Sequence, residues 1–215
     1  FLSPTYFKIN FTFDKALLIK ILRYTGPLII VGFAGVINEV LDRTLLKYLL
    51  PYSPKENLAL LGIYGASYKM AMLMTLFTQA FNYAAEPFFF KNANRSDSKA
   101  TYAKIAQLFT IIGTIAFLGI LFYIDIFKFF IGEEFREGLV IVPVLLMANL
   151  CLGLYYNFSI WYKLTDKTSV GAYIAIFGAF ITITLNIWWI PIFEYQGSAW
   201  ATLCCYAFMS AACYW

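Results

Sequence analysis

The sequence contains no histidine, and only 13% of its 215 residues are charged, about half the ~25% usual in a soluble domain. Without histidine the commonest general base is missing, and so is the commonest zinc ligand. The four cysteines, Cys151, Cys204, Cys205 and Cys213, lie inside apolar runs and in no metal-ligand spacing, so they read as small packing side chains. No metal or cofactor is expected, and no catalytic group. No Gly/Ser linker or low-complexity stretch divides the chain. The opening residues lack the charged start and short apolar run of a signal peptide. The chain begins at Phe1 and stops at Trp215 without a polar tail, which reads as part of a longer protein continuing at both ends.

What is abundant is apolar surface: 61% of the residues are hydrophobic and 20% aromatic, with a mean hydropathy of +0.71. A membrane span needs about 20 apolar residues. Six segments qualify, at roughly 25–49, 58–90, 103–129, 138–163, 170–191 and 197–215. The second is long enough to tilt, or to break near Pro87. Short polar links separate them, the first with Pro51 and Pro54 as helix stops. The expected fold is all-α, a polytopic bundle occupying residues 25–215 and preceded by a basic amphipathic segment within 1–24 that lies along the membrane surface.

Lysine and arginine set the orientation. With the start of the chain in the cytoplasm, ten fall inside: Lys8, Lys15, Lys20, Arg23, Lys91, Arg95, Lys99, Lys104, Lys163 and Lys167. Four fall outside: Lys47, Lys55, Lys128 and Arg136.

Charge within a span costs about 2.5–3.5 kcal/mol at mid-membrane, and such residues usually line a pathway. Span one carries Asn38, Glu39, Asp42 and Arg43 in one arc with Gly35. The i, i+4 spacing lets Glu39 pair with Arg43, which leaves Asp42 in need of a partner. Lys69, near the middle of span two, is a candidate. Beside it runs a stripe of Gly65, Tyr68, Met72, Gln79, Tyr83 and Glu86, with Thr75 and Asn82 at its margin. The stripe extends about 30 Å at helical rise, the thickness of the hydrocarbon core. Helix glue accounts for single polar residues; a stripe this long favours a water-lined route. In span five Gly171, Ala175, Ala179, Thr182 and Asn186 share a face that reads as a close-packing seam. Asn149, Gly153, Tyr156 and Lys163 share a milder face of span four.

The strings LDRTLLKYLLP, GIYGASYKMAMLMTLFTQAFNYAAEPFFF, ANLCLGLYYNFSIWYKLTDKT and GSAWATLCCY resemble bacterial polysaccharide biosynthesis membrane proteins. These are the O-antigen and capsule flippases of the multidrug/oligosaccharidyl-lipid/polysaccharide exporter superfamily. The resemblance runs from about Phe11 to Trp215. It implies most of the second of two lobes that rock to give alternating access, in the bacterial inner membrane, with the first lobe elsewhere in the same chain. It implies a lipid-linked oligosaccharide as substrate, and no nucleic acid. By the same resemblance Arg43 and Lys69 hold the substrate diphosphate. The polar stripe of span two adds Gln79, Asn82 and Tyr83 as residues lining the substrate route. Asn38, Glu39, Asp42 and Glu86 form the supporting charge network. A cation-coupled multidrug exporter of the same superfamily would instead work through Glu39, Asp42 and Glu86. A ligase or polymerase of sugar repeats would carry a large outer loop, which this sequence lacks. A purely structural subunit leaves the buried charges without a purpose.

Overall fold

The computed structural model describes residues 14–92 and 98–215, and these are helical without a strand. The start of the expected surface segment and the centre of the Lys91–Lys99 link lie outside the described residues. Helix α1 (Lys15–Leu49) opens at Asp14, whose carboxylate accepts the N–H groups of Ala16 and Leu17 at 2.9 and 3.1 Å. That is the N-cap bond short acidic residues make. The helix continues through Pro27, so the described part of the expected surface segment is the first turns of the first span.

Helix α2 (Pro54–Asn92) starts on Pro54, where a missing N–H costs nothing. Its entry is a capping box: Ser53 Oγ and N–H donate to Glu56 Oε2 at 2.8 and 3.0 Å, and the Glu56 N–H returns to Ser53 Oγ. Far from breaking there, α2 runs through Pro87, whose ring faces outward. Helix α3 (Ser98–Phe122) is shorter than expected. Beyond it come a single turn, α4 (Ile124–Phe127), and two 3-10 stretches at Lys128–Phe130 and Glu133–Ile141. Ion pairs Lys128–Asp125 (2.7 Å) and Arg136–Glu133 (3.2 Å) hold these polar turns. Helix α5 (Val142–Leu164) leads by a tight turn into α6 (Thr168–Tyr214).

Among the described residues, five helices are long and apolar enough to cross a membrane, and α6 supplies two crossings. Its helix is interrupted at Glu194, with φ 53° and ψ −136°. Gly197 lies against the backbone of Trp189, and the Cys205 thiol donates to the Gly178 carbonyl at 3.2 Å. Residues eight apart in a straight helix are about 12 Å apart, so these approaches require an antiparallel hairpin with arms 168–193 and 195–214. The arms are the expected fifth and sixth spans. The Tyr52 hydroxyl, in the α1–α2 link, donates to Glu194 at the hairpin tip at 2.6 Å.

Helix α1 packs chiefly on α6, α6 on α5, and α5 on α2 and α3. The main core gathers Leu46, Tyr64, Met74, Phe109, Leu145 and Leu146, all buried. Outside it, Ile29, Phe33, Ile115, Phe180 and Trp188 are exposed. That inside-out apolar surface is what helices facing lipid tails require.

Candidate functional site

Two polar features lie between α1, α2, α5 and α6. The first is a cavity of about 290 Å³. Helix α1 gives it Gly32, Gly35, Asn38 and Glu39; α2 gives Tyr68, Thr75, Thr78 and Gln79. Asn149 and Tyr156 come from α5, and Tyr206 and Met209 from the second arm of α6. Gly32 and Gly35 have open space where a Cβ would project, so α1 is thin along this wall. The Thr75 hydroxyl donates to Asn149 Oδ1 at 2.9 Å, tying α2 to α5 across the cavity floor. Glu39 and Gln79 are exposed at its rim.

The second feature is Asp42, 2% exposed. Its Oδ2 accepts Thr202 Oγ1 at 2.6 Å and Tyr64 Oη at 3.1 Å, and its Oδ1 accepts Asn186 Nδ2 at 3.1 Å. Three helical segments thus aim neutral donors at one carboxylate. Near it two more buried oxygens, Asn38 Oδ1 and Asn186 Oδ1, have no hydrogen-bond partner among the described residues. Unpaired buried polar atoms cost about 1–3 kcal/mol each, so two amide oxygens left open near a buried carboxylate are an arrangement suited to an oxygen-seeking cation.

Lys69 is not Asp42's partner. Tyr64 and Lys69 are five residues apart, about 140° around the helix. The rotation that brings Tyr64 to Asp42 therefore turns Lys69 outward, where it is exposed. The Glu39–Arg43 ion pair does not form either: the Arg43 guanidinium lies 4.6 Å from the Tyr68 ring centroid, a cation–π contact. The stripe on α2 is also divided. Tyr68, Thr75 and Gln79 reach the cavity, whereas Lys69, Met72 and Tyr83 face outward and Asn82 is half-buried off its lining. Glu86 accepts Lys163 Nζ at 2.8 Å, a bridge from α2 to α5 apart from the cavity.

In a comparison with solved structures the chain is similar to an outward-facing multidrug resistance MATE family transporter of the MOP superfamily. The TM-score is 0.69, with 17% identity over 89% of this chain. The bundle has the fold of one MATE-like lobe. It spans 43% of that transporter's length. No family model matches the sequence, and no curated protein matches it.

Within the MATE-like lobe, sequence pattern marks Asn38, Glu39, Asp42 and Gln79 but misses most of Asp42's surroundings. Thr182 and Asn186 have the spacing of a packing seam, and they do lie on one: Gly171 packs on Tyr162, Gly178 on Met209. Tyr64, Ser198 and Thr202 carry no signal of their own in an apolar run. Only the hairpin of α6 brings Ser198 and Thr202 back to α1.

Proposed function

We propose that this chain is one lobe of a membrane transporter, working by alternating access in the bacterial inner membrane. The start of α1 faces the cytoplasm. The observation that carries the reading is the polar cavity of a MATE-like lobe, walled by four helices and rimmed by Glu39 and Gln79. A polar head crossing hydrocarbon needs its hydration replaced, and this cavity offers hydroxyls, amides and a carboxylate for that purpose. No bond is made or broken, so the chain is not an enzyme.

For the cargo, the resemblance to polysaccharide flippases favours an undecaprenyl-diphosphate-linked oligosaccharide. Arg43, stacked on the cavity residue Tyr68, and Lys69, on the outward face of α2, are free of carboxylate partners among the described residues and present charge to the diphosphate where the other lobe meets this one. A first lobe of the same chain completes the binding surface. Asp42 supports a second reading, a cation-coupled exporter. Its carboxylate and the unpaired oxygens of Asn38 and Asn186 form a coupling site for a sodium ion or a proton.

Full-length protein in liposomes separates the two. The flippase reading expects the lipid-linked oligosaccharide to change leaflet, with Lys69→Gln blocking it and Lys69→Arg retaining it. Uptake of organic cations without movement of the lipid would replace it with the multidrug reading.

A further inference from the structure

A second cleft lies away from the cavity, at the end of the bundle where α1 and α6 begin and α2 and α5 finish. Its volume is about 870 Å³. Leu17, Ile21, Phe90 and Leu164 form an apolar wall, and Lys20, Arg23 and Lys163 bring positive charge to a lining that also holds the Asp166 carboxylate. The cleft is built rather than incidental. Tyr24 Oη donates to the Lys163 carbonyl at 3.2 Å, and Thr168 Oγ1 donates to the Tyr24 carbonyl at 3.0 Å, so α1 is pinned to the α5–α6 turn. Lys163 is held by Glu86, while Lys20 and Arg23 enter no ion pair among the described residues.

Depth identifies the occupant. Helix α1 is 35 residues long, about 52 Å at 1.5 Å per residue. A hydrocarbon core of about 30 Å cannot contain it, and its first turns emerge at the level of the lipid headgroups. There Leu17, Leu18, Ile21 and Leu22 remain exposed, next to the two unpaired cations. Cationic side chains above an apolar wall at headgroup depth match a lipid phosphate with its acyl chain below. A soluble anion has no use for the apolar wall.

We propose that this cleft binds the phosphate headgroup of an anionic glycerophospholipid from the leaflet at that end, through Lys20 and Arg23. The lipid thereby braces α1 against the α5–α6 turn.

The test is thermal unfolding of the full-length protein in detergent, titrated with short-chain phosphatidylglycerol, short-chain phosphatidylcholine or inorganic phosphate. Phosphatidylglycerol raises the melting temperature saturably; phosphatidylcholine and phosphate do not. K20Q/R23Q weakens the phosphatidylglycerol affinity by about tenfold or more, K20R/R23K retains it, and K55Q/K128Q at the other end leaves it unchanged. Each variant is compared with its own lipid-free melting temperature, so a general loss of stability is read separately. An equal shift with inorganic phosphate would make this a soluble-anion site. An unchanged response in K20Q/R23Q, or an equal response to phosphatidylcholine, would also overturn the proposal.

Discussion

At the scale of single residues, Asp42 is the centre of the polar interior. Three donors converge on it, and no cation among the described residues pairs with it. If its surroundings serve a coupling ion, the stability of the detergent-solubilised protein depends on that ion. We expect the melting temperature to rise with sodium over potassium at equal ionic strength, or to depend on pH if the ion is a proton. Asp42→Asn removes the dependence and costs about 1–3 kcal/mol, because one amide N–H then confronts donors. An Asn variant that keeps the wild-type ion dependence would place the coupling site elsewhere. Helical periodicity assigns Asp42 and Asn38 to an inward face, and both are buried. It cannot say which neighbour meets them. Asn186 and Thr202 are 144 and 160 residues away in sequence, and nothing local ties them to α1. Glu86 is a parallel case: its face is legible in the sequence, its partner Lys163 is not. That pair is partly exposed, so Glu86→Gln is expected to cost no more than about 1 kcal/mol, measured by a double-mutant cycle with Lys163→Gln.

At the scale of elements, the six apolar segments are legible because about 20 uninterrupted apolar residues suit a membrane crossing and little else. Their ends are less so. Pro54 and Pro87 both look like stops, yet one opens α2 and the other lies within it. A proline removes only one backbone donor, and neighbouring helices hold the rest of the element in place. The α6 hairpin depends on a close approach. A Cβ on Gly197 would sit 2.6 Å from the Trp189 carbonyl oxygen and 2.8 Å from its carbon, atoms that cannot move aside independently. Gly197→Ala is therefore expected to destabilise the protein by about 1–3 kcal/mol. Gly35→Ala, where no atom lies within 4 Å, serves as the control and should be near neutral. Equal melting temperatures for the two variants would mean that the arms are not packed as described.

At the scale of the whole molecule, topology and access are the issues. The ten-to-four split of basic residues predicts that a thiol introduced at Thr165 reacts only from the cytoplasmic side, and thiols at Ser53 and Glu134 only from outside. The structure places Thr165 and Ser53 at opposite ends of the bundle, at the close of α5 and the start of α2. The central claim, that the cavity is a transport route opening to both sides in turn, is tested most directly at Gln79. In full-length protein with its native cysteines replaced, Gln79→Cys is labelled with a membrane-impermeant thiol reagent applied to one face at a time. The predicted result is reaction from either side, with the ratio of the two rates changing when substrate or coupling ion is added. Phe77→Cys, which replaces a ring stacked on Phe109, stays protected. A Gln79→Cys thiol as protected as Phe77→Cys from both sides, under every condition, would mean that the cavity is sealed and carries nothing.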